Sequence, residues 1–220
     1  MLLYCFPHAG GTGTLYRGWS ARLADVAEVR AVSYRSLQTG ARSVRDLARN
    51  AADRIAAEPG APALFGHSMG ALVAFETARL LGQGVEVVFA SGHVAPHRPS
   101  PGPDLHGLPD ADFWAEIGAL GGTPADLLAD ADLRAATEAR LRAEFRAAET
   151  YRYTVGAPLN CDVVALAGTS DARAPVSEVA AWRMHTTGAF ELAEFEGGHF
   201  FVEDRADAVL AALSSRLAAS

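Results

Sequence analysis

Residues 66–70 read Gly-His-Ser-Met-Gly, directly after the apolar run Ala63-Leu64-Phe65 and before a stretch rich in helix formers. A serine between two glycines at a strand-to-helix turn is the pattern of a nucleophile elbow. The turn is so tight that flanking side chains would collide, and the Ser68 hydroxyl is left exposed at a helix N-terminus. The Met69 backbone N–H then points at the oxyanion that forms when Ser68 attacks a carbonyl. A serine alone is a weak nucleophile, so a base and an orienting acid must follow it, in the chain order Ser, Asp, His.

Seven histidines are available. His67 lies inside the elbow, and His8, His93, His97 and His106 come before the last third of the chain. His199, in Glu196-Gly197-Gly198-His199-Phe200, follows the last strand candidate and sits where loops at the carboxyl edge of a sheet meet ligands. His185 ends an amphipathic segment and reads as a charge partner for a helix C-terminus. His199 is therefore the expected base. Asp171, in the turn Gly168-Thr169-Ser170-Asp171, is the candidate acid that would accept the imidazole N–H and fix its tautomer. The same residue also reads as an ordinary turn or capping carboxylate, and spacing alone leaves both open. Asp162 precedes its strand and would lie at the wrong edge. The second oxyanion donor is expected from Pro7-His8-Ala9-Gly10-Gly11, where two glycines admit close approach and the Ala9 N–H stands opposite Met69.

Competing chemistries fit less well. Gly11-x-Gly13 after a strand resembles a dinucleotide cradle, but Tyr16 occupies the place of the third glycine. His93 and His97 are separated by Pro96, and no His-Glu-x-x-His or Cys-x-x-Cys spacing occurs, so no metal site is expected. Trp19, Trp114 and Trp182 read as packing residues rather than ligand platforms.

Positioning these groups requires a sheet with crossover helices. Short apolar runs at Leu2–Phe6, Val29–Ser33, Ala63–Phe65, Val85–Ser91, Val163–Ala167 and Phe190–Phe195 are the predicted strands. Helical stretches alternate with them at Val44–Ala57, Met69–Leu81, Ser177–Met184 and Ala206–Leu217. The predicted class is α/β, a mostly parallel sheet flanked by helices. From Ala95 to about Leu159 no strand signal occurs. A Pro-rich entry leads instead into helical pieces, the last from Asp132 to about Tyr151 with Leu133, Leu141 and Phe145 on one face. This reads as an inserted helical lid over about 95–157 within a single domain, 1–220; the plainer alternative is that these helices simply flank the sheet.

Composition narrows the partners. The chain has 220 residues, half of them hydrophobic, with 19 basic and 26 acidic side chains. A net charge of −7 and no basic tract argue against nucleic acid. No segment approaches the roughly 18 apolar residues of a membrane span, and Leu2–Phe6 is too short for a signal sequence. Cys5 and Cys161 lie in or beside apolar runs, as buried reduced thiols do, so the expected location is cytoplasmic.

Taken in order, these motifs resemble the stand-alone type II thioesterases of polyketide and nonribosomal peptide synthesis, within the α/β-hydrolase superfamily. The resemblance runs through Phe6-Pro7-His8-Ala9-Gly10-Gly11, Phe65 to Ala71 around the elbow, Ser91-Gly92-His93-Val94-Ala95-Pro96-His97 and Gly121-Gly122-Thr123-Pro124. It continues through Leu141-Arg142-Ala143-Glu144-Phe145, Glu149-x-Tyr151-x-Tyr153, Trp182 and Gly197-Gly198-His199-Phe200-Phe201. It implies an α/β-hydrolase fold, a Ser68, Asp171 and His199 triad, oxyanion donors at Met69 and Ala9, and a lid from about Asp104 to Glu149. The implied substrate is an acyl group on the phosphopantetheine arm of an acyl- or peptidyl-carrier protein, removed by a monomer without a cofactor. Phe113, Trp114, Leu120, Leu127 and Leu128 are the expected lining of the acyl channel. Acyl transfer to a non-water acceptor by the same triad, or a generic carboxylesterase, are the alternatives. The chain departs from the family in lacking a short extension before the first strand. After the second strand it reads Ser33-Tyr34-Arg35-Ser36-Leu37 where members have Pro-Gly-Arg-Glu, a change expected to affect substrate preference.

Overall fold

The structure, a computed structural model, describes residues 1–34 and 43–219; of the loop singled out above, Arg35, Ser36 and Leu37 lie outside the described residues. Six strands, β1 (Leu2–Phe6), β2 (Glu28–Ala31), β3 (Ala63–His67), β4 (Val87–Ser91), β5 (Asp162–Gly168) and β6 (Phe190–Phe195), form one sheet in the order β2-β1-β3-β4-β5-β6. Every neighbouring pair is parallel. The predicted class is met, and all six predicted strands form, with shifts of up to two residues at their ends.

Because side chains alternate along a strand, each central strand feeds two cores. Val88, Ala90, Val163 and Ala165 pack on one face with helices α2 (Val44–Ile55) and α3 (Met69–Leu81). Val87, Phe89, Val164 and Leu166 pack on the other with α1 (Trp19–Arg22), α8 (Phe201–Asp204) and α9 (Ala206–Ala218). Ser43 caps α2 by accepting the Asp46 N–H, which fixes where that helix starts. The segment predicted as a helix over Ser177–Met184 is a short helix α7 (Val176–Val179) that tightens into a 3₁₀ turn over Ala180–His185. Trp19 and Trp182 are core residues, and both cysteines are free and buried.

Between β4 and β5 lie α4 (Asp110–Leu120), α5 (Ala125–Ala129) and α6 (Ala131–Glu149). They share a small core of their own around Leu105, Phe113, Ile117 and Leu141. Of the face predicted for the last helix, Leu141 is buried but Leu133 is 46% exposed, since it stands in the first turn of α6, away from that core.

Among the described glycines, the least room for a side chain is at the end of β3. A Cβ on Gly66 would lie 2.0 Å from the Gly70 carbonyl oxygen, and a Cβ on Gly70 would lie 2.1 Å from that of Phe6. Both neighbours are backbone and cannot swing aside. Gly66→Ala is expected to cost at least about 2 kcal/mol, a Tm drop of about 4 °C or more, measured by thermal and urea unfolding. Gly18→Ala, where a Cβ meets nothing within 4 Å, should change stability by less than about 0.5 kcal/mol.

Candidate active site

The loops after β1, β3, β5 and β6 leave the carboxyl edge of the sheet and converge. Ser68 stands between β3 and α3 with φ 55° and ψ −123°, the only non-glycine residue of positive φ among the described residues. Such a conformation costs about 1–3 kcal/mol and persists only where surrounding contacts enforce it. Here the Ser68 N–H donates to the Ser91 carbonyl at 2.8 Å and the elbow glycines close the turn.

The Ser68 hydroxyl lies 3.0 Å from His199 Nε2, and His199 Nδ1 lies 2.8 Å from Asp171 Oδ2. The carboxylate accepts from Nδ1–H, which leaves Nε2 as an acceptor for the serine proton. Asp171 is 5% exposed, and its second oxygen accepts the Arg173 and Ala174 N–H groups at 2.9 and 3.1 Å. Burial alone would raise its pKa; the hydrogen bond and charge of His199, with those two amides, outweigh it and hold the carboxyl below its ordinary value. The two readings of Asp171 therefore both hold, one on each oxygen: Oδ1 closes a turn and Oδ2 faces the imidazole. Asp162, at the opposite end of β5, pairs with Arg216.

Three further imidazoles surround His199. His67 lies 5.2 Å from it, centroid to centroid, and His8 packs edge-on against Phe200 at 4.8 Å. Burial, with the nearby His199, lowers the His8 pKa to about 4; burial chiefly brings His93 to about 4 and pushes His67 well below its usual value. These rings are neutral near pH 7, so none of the three adds a positive charge beside His199; Arg173 and Glu149 are the charged side chains in the wall of the cavity that His199 lines. His67 Nδ1 pairs with the Ser91 hydroxyl at 3.0 Å. His185 is not the charged helix partner expected from its position: it is 3% exposed, its Nε2 lies 2.7 Å from His97 Nδ1, and burial lowers its pKa to about 4.

Ser68, Met69, Ala9 and His199 line one cavity, of about 80 Å³. Of the five residues expected along it only Leu120 does so; Ile117, Leu141, Phe145 and Ala148 of the insertion, with Phe200 beside His199, add to the apolar wall. Phe113 is buried a turn deeper, with the Arg142 guanidinium 4.1 Å over its ring. Trp114 is tied to Glu138 at 2.8 Å, Leu128 packs inside the insertion, and Leu127 faces a separate groove lined by Gly11, Trp19 and Arg140. The missed residues fall on helical steps, Ile117 between Phe113 and Leu120 on α4 and Leu141-Phe145-Ala148 on α6. That stripe was legible, but which end of it faces the serine depends on how the two helices cross. Sequence reasoning also missed what holds the Ala9 loop. The Tyr16 hydroxyl donates to the Phe6 carbonyl and the Tyr34 hydroxyl to the Pro7 carbonyl, both at 2.8 Å. The residue that spoils the dinucleotide pattern is thus a clamp on the first-strand loop. No three His, Cys, Asp or Glu side chains are arranged to hold a metal ion among the described residues.

A parallel sheet with a strained serine elbow at its carboxyl edge defines the α/β-hydrolase class. Within that class the chain belongs to the thioesterase domain family, whose sequence profile matches residues 2–217. It is 43% identical over 218 residues to the thioesterase PikA5 of Streptomyces venezuelae, covering 92% of this chain and 76% of that protein. Its fold superposes with a TM-score of 0.87 on the type II thioesterase BorB from the borrelidin biosynthetic cluster, at 36% identity over 98% of this chain and 92% of that one. The RedJ thioesterase of the prodiginine pathway in Streptomyces coelicolor gives 0.85 at 36% identity, covering 97% and 84%.

The buried imidazoles make acid stability a direct check. An unfolded chain protonates its histidines below about pH 6.5, whereas His8, His93 and His185 hold off protonation to about 4. Unfolding then takes up protons, so stability falls as the pH drops through that window and is fully present above it. Each such histidine contributes about 1.4 kcal/mol per pH unit. Urea unfolding between pH 7 and 4.5 is expected to show this slope, and His185→Gln should remove one proton's share of it.

Proposed function

We propose that this thioesterase clears acyl groups from the phosphopantetheine thiol of an acyl- or peptidyl-carrier protein, through an acyl-enzyme on Ser68. The observation that carries the proposal is the continuous hydrogen-bonded chain Ser68–His199–Asp171, opening into a cavity also lined by Ala9 and Met69. Ser68 Oγ attacks the thioester carbonyl while His199 Nε2 takes its proton, and Asp171 stabilises the imidazolium. The Met69 and Ala9 amides hold the oxyanion. On collapse the carbon–sulfur bond breaks and the thiol leaves with the proton from His199. A water then gives its proton to His199 and attacks the acyl-enzyme, releasing the acid and restoring Ser68. No cofactor takes part in these steps.

Residues 95–157 are assigned as a lid belonging to the same single domain, since α4 and α6 provide the apolar wall over Ser68. A cavity of about 80 Å³ is well below the roughly 300–1,000 Å³ of drug-sized ligand sites, which favours short acyl groups unless the lid yields. The BorB and RedJ enzymes belong by name to natural-product pathways; the same setting, with a carrier protein as partner and a monomeric enzyme, is proposed here. Two buried unpaired cysteines fit a reducing, cytoplasmic compartment, and no helix among the described residues is long and apolar enough to cross a membrane.

The test offers acyl-carrier proteins and acyl-pantetheine thioesters to wild type and variants, following thiol release and intact protein mass. Ser68→Ala should lose activity by about 10⁶-fold with no acyl adduct, and Asp171→Asn by about 10⁴-fold. Equal thiol release from wild type and Ser68→Ala defeats the serine mechanism; a conjugate in place of the free acid identifies acyl transfer. Phe145→Ala widens the cavity, so octanoyl should gain on acetyl substrates in kcat/KM by about fourfold for each extra methylene accommodated.

A further inference from the structure

We infer that Glu144 is a positioning residue, tying the loop that presents the Ala9 amide to the helix that walls the acyl cavity. This rests on the oxyanion role proposed above for Ala9. Glu144, on α6, is 4% exposed, a rare setting for a carboxylate unless it is paired. Its Oε2 accepts the Gly10 N–H at 2.6 Å, a charge-assisted bond, and its Oε1 lies 3.4 Å from Arg140 Nη1. Leu141, one turn earlier on the same helix, packs on the same glycine: a Cβ there would meet its Cδ1 at 2.4 Å. The loop is therefore held to α6 by packing and by hydrogen bonding at one point.

The pinned group is the peptide between Ala9 and Gly10, next to the one whose N–H belongs to Ala9. The Gly11 N–H donates to the His8 carbonyl at 2.9 Å and closes a turn around Ala9 and Gly10; with the Gly10 amide also fixed by Glu144, the Ala9 φ and ψ between these two anchors are restricted and its N–H has little room to turn. Tyr16 and Tyr34 hold the near end of this loop by the Phe6 and Pro7 carbonyls, and Glu144 holds the far end. Glu144 itself is not part of the cavity wall, whereas Leu141, Phe145 and Ala148 of the same helix are. An acyl group that displaces that wall also displaces the carboxylate that aims the donor. Poorly fitting chains then lose transition-state stabilisation as well as fit, and selection appears in kcat.

The test compares Glu144→Met, similar in length but without the acceptor, with Glu144→Gln, which keeps one. Removing an oxyanion donor outright costs about 10²–10³-fold, so Glu144→Met is expected to lower kcat by about 10- to 100-fold with KM within about twofold. Affinity for a trifluoromethyl ketone analogue, which forms a tetrahedral adduct with the serine, should fall by the same factor. Affinity for an unreactive thioether analogue should hold, and Glu144→Gln should recover most of the loss. An unchanged kcat in Glu144→Met, equal weakening of both analogues, or no recovery in Glu144→Gln overturns the inference. Hydrogen exchange in the wild type is a check independent of any variant's folding: the Gly10 amide should exchange as slowly as the sheet core, and exchange at the rate of exposed loops also overturns it. Ser68→Ala run in parallel separates the two levels. Thiol release that survives in it sinks the serine reading, whereas an inactive Ser68→Ala beside an unaffected Glu144→Met sinks this inference alone.

Discussion

Three chain segments converge at one point with no room for a side-chain carbon between them: the end of β1, the end of β3 and the first turn of α3. Gly66 against the Gly70 carbonyl and Gly70 against the Phe6 carbonyl are backbone-on-backbone contacts. They force the intervening serine to a positive φ that it would not adopt alone. The strain is sustained because β1, β3 and β4 lie side by side in the sheet, with Cys5, Phe65 and Phe89 buried on one face and Leu64, Leu72 and Val88 on the other. The core thus holds a hydroxyl at the sheet edge in one orientation.

The electrostatics around that hydroxyl follow from burial. An imidazole surrounded by protein prefers to be neutral, and His8, His67 and His93 all stand in such surroundings near His199. The proposed base therefore stands beside neutral rings, with the Asp171 carboxylate as its ionic neighbour within hydrogen-bonding reach. Asp171 is itself anchored by the two amides of its own turn. Burying this carboxylate is tolerable because four hydrogen-bonding and charge contributions from the same few residues offset the desolvation.

The helical insertion joins this rigid edge to a wall of different character. Its small core is centred on Phe113 and Leu141, separate from the two large cores of the sheet. α6 reaches the sheet edge through Leu141 and Glu144 on the Gly10 turn, while Glu149 accepts the Leu105 and His106 amides within the insertion. One helix therefore shapes the cavity and touches the loop beside it.

Much of this was legible in the chain. The short continuous apolar runs identified all six strands, and Gly66-His67-Ser68-Met69-Gly70 located the turn, because a contact that excludes Cβ atoms leaves its mark as glycine in the sequence. Chain order and strand ends picked out Asp171 and His199, which the fold brings into one hydrogen-bonded chain with Ser68. The lining of the cavity was not legible: hydrophobicity marks Phe113, Trp114, Leu127 and Leu128 as well as Ile117 and Phe145, and a helical stripe does not say which of its turns meets a neighbour. Nor could charge state be read from residue type, as His185 illustrates, since a pKa depends on what surrounds the ring. By itself the sequence determined the features written in local constraints, namely strands, tight turns and the order of reactive groups. Only the tertiary structure decided those that depend on distances between remote segments: the crossing of α4 and α6 over the serine, the neutrality of the buried imidazoles, and the reach of Glu144 to Gly10 across 134 residues of chain.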